Sequence, residues 1–459
     1  MSIIQSAKKY WRSLIGSDKA LTGKVNFNIA VSFALRGISI IISFLIVPYS
    51  LKLLDTNKYG IWLAISSTVS WISILDIGLA NGLRNKVAEY IAKKEYDQAK
   101  ISVSSTYAIL LLIILPIAII FSIAAPFINW NSVFKTTLDQ KELLYTLITV
   151  FTGLSFQFIL KPISSILQGD QKIYKSNQIQ LICNFVPLIP IILLGKYLQG
   201  SMFFLAIAQT LLPVIVLLIY TIILFRNSYA DIAPSITRID LKKSKSLFQL
   251  SIAFFIVQIA GVFLYSTTEI IVAREFGGGD VAIYVSLYKY YSATSIILNI
   301  ILATYWSAFT NAFALNDIDW IRSSITKLLK IAAIFLIVIV LQVLLAGPVF
   351  KIWVGDKIKV PFTLSIGMAV YFSVTMFTLV YTVVLNGTGK VKMQSIISII
   401  TAVLHIPVVL FFIRYMHLGL NSIIYASILW TVIQVILWKK EIGVILNTKT
   451  NQLDVSDVI

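Results

Sequence analysis

"SSTYAILLLIILPIAIIFSIAAPFI", residues 104–128, runs for 25 residues without one charged side chain. At 1.5 Å of rise per residue a helix of that length reaches ~37 Å, enough to cross the ~30 Å of hydrocarbon in a bilayer. A barrel strand would alternate apolar and polar residues over ~10 positions, which this run does not do. Similar runs recur along the chain, which is 58% hydrophobic and 13% charged, with a mean hydropathy of +0.88. A soluble protein of 459 residues cannot hide that much apolar surface, so lipid is the solvent for most of it.

About twelve spans are expected: 28–51, 59–79, 104–128, 143–167, 178–194 and 202–225, then 247–269, 281–313, 329–350, 362–385, 393–412 and 420–438. The run at 281–313 is long enough to continue past the membrane. Basic residues orient the chain, because cytoplasmic loops carry the excess of Lys and Arg. Of the 38, 24 fall in one alternating set of loops and termini, 10 in the other, and four inside spans. Both termini are therefore expected in the cytoplasm. Met1 to Gly23 is basic and mixed rather than a cleavable signal, and the first span itself can direct insertion.

The two halves read as copies. "AKKEYDQAK" from Ala92 aligns with "ALNDIDWIR" from Ala314, an offset of 222, and "YGIW" from Tyr59 faces "VAIY" from Val281 at the same offset. "LQGDQKI" from Leu167 aligns with "LNGTGKV" from Leu385 at 218, as "KY" at Lys196 does with "RY" at Arg414. Six spans per copy leave both copies facing the same way. The expected fold is an all-α polytopic membrane protein: two six-helix lobes related by a pseudo-two-fold along the membrane normal, with a pathway between them. Residues 1–225 form the N-terminal lobe, 226–245 a cytoplasmic linker, and 246–459 the C-terminal lobe and tail.

After the second span the chain reads "LDIGLANGLRNKVAEYIA", Leu75 to Ala92. Asp76 sits near the cytoplasmic end of the span, and Gly78 and Gly82 make a G-x-x-x-G step that allows close helix contact. Leu79, Leu83, Val87 and Ile91 then recur every four residues, with Arg84 and other polar residues opposite. That pattern suits a helix lying along the membrane interface. Its counterpart is expected near Thr310–Asp319, so that each half carries a helical elbow, and the pair reads as an inner gate.

"LDIGLANGLRNKVAEYIAKKEYDQAK", followed by an apolar span and later by "LQGDQK", resembles the signature of Wzx-type flippases. These belong to the multidrug/oligosaccharidyl-lipid/polysaccharide exporter superfamily. The resemblance covers the whole chain in length, span count and lobe arrangement. It implies a bacterial inner-membrane protein that moves an undecaprenyl-pyrophosphate-linked oligosaccharide to the outer leaflet for surface polysaccharide (O-antigen, capsule or exopolysaccharide). The implied partners are that lipid-linked substrate, the bilayer, and the polysaccharide polymerase and glycosyltransferases of the same pathway.

Charges within spans need a reason, since an Arg at mid-bilayer costs roughly 2.5–3.5 kcal/mol on insertion scales. Arg36 lies ~12 Å inside the first span, where it either snorkels to the surface or faces an aqueous cavity and grips a pyrophosphate with its two-pronged guanidinium. Lys289 lies similarly deep, with Tyr284, Tyr288 and Tyr291 at i, i+4 and i+7; that stripe suits sugar rings or an interfacial aromatic belt. Glu269 is placed to pair with Lys289 or to serve as an interfacial acid, and Lys161 lies near the cytoplasmic side, within snorkelling reach. Asp76, Gly78, Gly82, Arg84 and Glu269 are the candidates for gating and coupling.

One cysteine, Cys183, and two histidines, His405 and His417, leave no disulfide within the chain and no expectation of a metal centre. No phosphate loop for ATP occurs, and no nucleophile–base constellation stands out, so a transporter is expected rather than an enzyme. No cofactor is expected, and coupling to a proton or sodium gradient is compatible with the residues. A multidrug cation antiporter is the principal rival, although cations outnumber acids within the spans and point to an anionic cargo. A polysaccharide polymerase is the lesser rival, as such enzymes usually carry a large outer loop that this chain lacks. Nothing points to nucleic acid.

Overall fold

The computed structural model describes residues 19–70, 78–353 and 360–456, apart from Lys135, Lys196, Gln199, Lys243 and Gly277. Among the described residues every regular element is helical. The first ten are α1 (Lys19–Ser70), α2 (Leu79–Ala92), α3 (Tyr96–Ala124), α4 (Trp130–Phe134), α5 (Gln140–Leu160), α6 (Pro162–Gly169), α7 (Ile173–Phe185), α8 (Leu188–Leu194), α9 (Met202–Ala206) and α10 (Leu212–Arg226). Six long helices follow: α11 (Lys245–Glu275), α12 (Gly278–Ala314), α13 (Ile318–Trp353), α14 (Phe362–Thr388), α15 (Lys392–Arg414) and α16 (Asn421–Ser456). The described residues group into two compact units, one of residues 27–255 and one built from residues 256–456 with residues 19–26. The start of α11 therefore packs with the first unit.

Ten stretches from α3 to α16 are long and apolar enough to cross a membrane. Their outward faces are unmistakably apolar: in α3, Ile120 and Ile123 are each 64% exposed. In water such surface would drive association; in hydrocarbon it is at no disadvantage.

α1 supplies one further crossing and the first residues of another. Drawn straight, its 52 residues would reach ~78 Å, more than twice the hydrocarbon thickness. Its contacts show a path out and back. Asn28 donates to the Gln171 carbonyl at 2.7 Å and accepts from the Tyr174 amide at 3.1 Å, at the turn between α6 and α7. Farther along, the Leu53 carbonyl accepts from the Gly200 amide at 2.6 Å, and Lys58 pairs with Glu142 at 3.1 Å. By Arg84 the chain is again beside Gly169, two residues from Gln171. Helical geometry persists through 52–58, where a loop was expected; that segment contains neither Gly nor Pro to break it. The fold is thus twelve membrane helices in two lobes. Asp76 lies outside the described residues, as do the termini beyond 19 and 456.

The internal repeat is visible in detail. In the first unit Gly169 lies so close to α2 that an added Cβ would sit 2.8 Å from the Arg84 carbonyl and 3.1 Å from the Val87 Cβ. In the second, a Cβ on Gly387 would sit 2.8 Å from the Trp306 carbonyl and 2.6 Å from the Phe309 Cβ. The glycines differ by 218 in number, and the contacted residues by 222. Left-handed residues recur at the same offsets: Lys94 (φ 60°) with Asn316 (φ 59°), and Gln171 (φ 56°) with Gly389 (φ 70°). Each half therefore builds the same glycine-backed joint.

The halves differ in one respect. The helix that makes the joint in the second half is the last part of α12, continuous with the span, and not a separate elbow near Thr310–Asp319. Gly78, at φ 66°, explains why. It occupies the left-handed region, which disfavours side chains bearing a Cβ, and α2 starts immediately after it. At the equivalent position, 222 residues on, stands Ile300, which stays inside a helix. Glycine breaks one copy; isoleucine carries the other straight through.

Candidate functional site

α2 was expected along the membrane interface, and its placement corrects that reading. Leu79, Leu83 and Val87 are 2%, 0% and 0% exposed. They pack with Ile163, Ile166 and Leu167 of α6 and with Ala99 and Val103 of α3 in one core cluster. The stripe is buried in protein because α6, held against α2 by Gly169, covers the face that lipid would otherwise take. Gly78 and Gly82 let α2 approach Ser251 and its neighbours on α11 with no room for a side chain. Arg84 and Asn85, on the polar side of the pattern, are buried as well. Burial lowers the Arg84 guanidinium to about 9, which still leaves it charged at neutral pH. Glu89 keeps to the surface side, ion-paired with Lys86 and Lys93, each at 2.9 Å.

The "LQGDQK" turn is held by the Asp170 carboxylate, which accepts from the Tyr229 hydroxyl at 2.8 Å and pairs with Lys172. The Lys172 ammonium lies over the Tyr229 ring, 5.1 Å from its centroid. This motif builds the joint.

Arg36 is half-buried in α1. It lies one turn beyond Ser32, whose hydroxyl accepts from Asn177 of α7 at 2.7 Å. Lys161 is exposed at the break between α5 and α6, with its ammonium 5.1 Å from the centre of the Phe158 ring. The side chain of Glu269 lies outside the described residues.

The tyrosine stripe divides. Tyr284 and Tyr288, one turn apart on α12, line a cavity of about 250 Å³ in the second unit. Tyr291 does not: it is fully buried, its hydroxyl 2.7 Å from that of Ser365 and its ring stacked on Phe372. Lys289 is exposed and absent from the cavity lining. Residues 288 and 289 are ~100° apart around a helix, so neighbours in sequence face different surroundings.

Four other helices complete the cavity. α11 contributes Gly261, Leu264 and Thr268; α14 contributes Tyr371; α15 contributes Thr401 and His405; α16 contributes Ser427, Trp430, Thr431 and Gln434. None of the twelve lining residues is Asp, Glu, Lys or Arg. The last three helices enter the lining unanticipated. For α16 the available signal was the polar spacing of Ser427, Thr431 and Gln434, at i, i+4 and i+7 in its apolar first half. No group of three or more His, Cys, Asp or Glu able to hold a metal ion occurs among the described residues.

Residues 26–306, well over half the chain, match the family described as Polysaccharide biosynthesis protein. The chain belongs to that family. Over 265 residues it is 21% identical to a Salmonella typhi protein named "Putative O-antigen transporter"; the match covers 57% of this chain and 59% of that relative. The chain thus spans about three-fifths of the length of the curated relative it matches. Among solved structures, a MATE transporter in its bent conformation superposes with a TM-score of 0.75 at 16% identity, covering 95% of this chain and 98% of that one. A MOP-superfamily transporter from Pyrococcus furiosus superposes with a TM-score of 0.71 at 16% identity, over the same shares of the two chains. The fold is that of MOP-superfamily transporters, in a multi-pass membrane protein.

Proposed function

We propose that this protein is a flippase. It carries an undecaprenyl-pyrophosphate-linked oligosaccharide repeat unit from the cytoplasmic to the outer leaflet of the bacterial inner membrane, with both termini in the cytoplasm. Membership of the polysaccharide biosynthesis family is the observation that carries this reading, and the similarity to a protein named for O-antigen transport supports it. Substrate binding would bias an equilibrium between inward- and outward-open arrangements of the two lobes, so only differential affinity for those states drives the step. The glycine-backed joints suit such motion, since they keep each lobe's helices locked together while the lobes move. Arg36 is the proposed contact for the pyrophosphate.

The second reading is a multidrug antiporter, favoured by the likeness of the fold to MATE transporters. A cationic drug, however, would find no acid in the cavity of the second lobe to offset its desolvation. Deletion decides between the two. In a strain with no second flippase, loss of the gene should abolish surface polysaccharide and leave lipid-linked repeat units accumulating inside. Normal export with raised drug sensitivity would establish the antiporter instead.

A further inference from the structure

We infer that the cavity of the second lobe is a subsite for one uncharged sugar ring of the cargo, separate from any site that grips the pyrophosphate. The inference rests on the flippase reading and adds where, and by what chemistry, the carbohydrate is held. Three observations carry it.

The first is the lining itself. Aromatic rings of Tyr284, Tyr288, Tyr371 and Trp430 share the cavity with hydroxyl, amide and imidazole groups, and no formal charge is present. Pyranose rings offer C–H faces to aromatic rings and hydroxyls to polar groups, so this mixture matches their two-sided surface. A pyrophosphate would need cations or a dense set of donors, and none of the lining residues is a cation.

The second is the state of the polar groups. Thr401 is 97% buried, and its hydroxyl has no hydrogen-bond partner among the described residues; the same holds for the indole N–H of Trp430. An unmet polar group inside a membrane protein is costly, and the indole N–H can only donate. By contrast Thr268, Ser427 and Thr431 donate to carbonyls of their own helices at 2.7, 2.9 and 2.7 Å. Their oxygens are left as acceptors. Both unmet atoms are shut off from water, so they meet a ligand only once their side chains turn; the hydroxyl, amide and imidazole groups of the lining supply the donors and acceptors a polyol needs. A quaternary ammonium, the rival suggested by four aromatic rings, can satisfy the rings but neither unmet group.

The third is size and depth. A cavity of about 250 Å³ exceeds the ~150 Å³ of an engineered cavity that holds one benzene, which suits one ring and its hydroxyls. The lining positions of α16 lie 6 to 13 residues from Asn421, or ~9–20 Å along the helix. The subsite is therefore well inside the membrane, where a sugar crossing it needs its hydroxyls met.

The test uses the full-length protein in detergent. The probe is the repeat-unit oligosaccharide that accumulates lipid-linked in deletion cells, freed of its lipid by mild acid. Binding by isothermal titration is expected for the parent, with each of Thr401→Val and Trp430→Phe weakening it roughly 2- to 10-fold, the effect of one hydrogen bond. Both substitutions remove an unmet polar group, so folding should hold, which a thermal melt checks. Inorganic pyrophosphate should not compete. Parent-like binding by both variants, or competition by pyrophosphate, overturns the subsite. So does tetraphenylphosphonium binding that displaces the sugar. The two readings fail separately: absence of accumulated oligosaccharide in the deletion strain sinks the flippase, whereas accumulation without binding sinks only the subsite.

Discussion

Replacing Gly387 by alanine would place a methyl carbon 2.6 Å from the Phe309 Cβ and 2.8 Å from the Trp306 carbonyl oxygen. Carbon atoms in van der Waals contact sit ~3.5–4.0 Å apart, so the overlap is close to 1 Å. It cannot be relieved by a rotamer change, because one atom is backbone and the other is the first side-chain carbon of a fully buried residue. The helices must separate, and overpacking of that kind costs ~1–3 kcal/mol. Alanine regains up to ~1 kcal/mol of helix propensity over glycine, and with an overlap near 1 Å placing the cost at the upper end of that range the net loss is up to ~2 kcal/mol. Gly169→Ala, with approaches of 2.8 and 3.1 Å, should lose somewhat less. Since the two joints lie in different lobes, the losses should add.

Gly347 and Gly443 provide the control of opposite sign. Both are helical, and an added Cβ would meet nothing within 4 Å. Alanine there should be neutral or stabilising by up to ~1 kcal/mol. Thermal unfolding of purified protein, followed by loss of the monodisperse peak on size exclusion, reads all four variants. A shift of ~2–4 °C per kcal/mol is expected for a unit of this size. If Gly387→Ala and Gly169→Ala melt with the parent while the two controls also do, the joints are not tightly packed and the structural basis of the repeat is wrong.

Three further outcomes follow from the structure. Gln171 holds the left-handed conformation that glycine holds at position 389, so Gln171→Gly should stabilise the protein by up to ~1.5 kcal/mol after the glycine entropy cost, read as a higher melting temperature. Burial opposes ionisation of Glu89, but hydrogen bonds from Lys93 and Lys86 outweigh it and hold its carboxyl below the usual range. Its contribution is then present above the ordinary carboxylate pKa and is lost as pH falls through the lowered value; the parent's advantage over Glu89→Gln should vanish on acid melts and persist at pH 7. If Arg36 grips the pyrophosphate, Arg36→Ala should abolish export at matched membrane abundance while Arg36→Lys retains part of it. Normal export by Arg36→Ala, measured as surface polysaccharide in complemented cells, would remove Arg36 from the site.

The crossings were legible because each depends only on local length and apolarity, and the repeat because its landmarks kept their spacing. What α2 packs against was not. A stripe at Leu79, Leu83 and Val87 reads identically whether its partner is a headgroup layer or another helix, since periodicity defines a face and says nothing of what covers it. The cover is α6, some 80 residues on, and its close approach depends on the single glycine at 169. The cavity was harder still. Its lining comes from five helices spread between Gly261 and Gln434, and each contributes only one to four residues whose spacing is that of any helix face. Tyr284 and Tyr288 stood out because tyrosine is conspicuous in an apolar run. Thr268 and Ser427 did not, because hydroxyls commonly bond back to their own helix and leave no trace of a second role.

The contrast between Gly78 and Ile300 bears on mechanism beyond the repeat. In the second half the joint and the span are one rigid helix, so a movement of the joint must carry Tyr284 and Tyr288, twenty-odd residues away on the same α12. In the first half the left-handed turn at Gly78 separates α2 from the preceding span. There is therefore an asymmetry between the halves in how far a displacement of the joint travels along one helix. It arises from one backbone conformation that glycine adopts at little cost and that isoleucine, β-branched, does not.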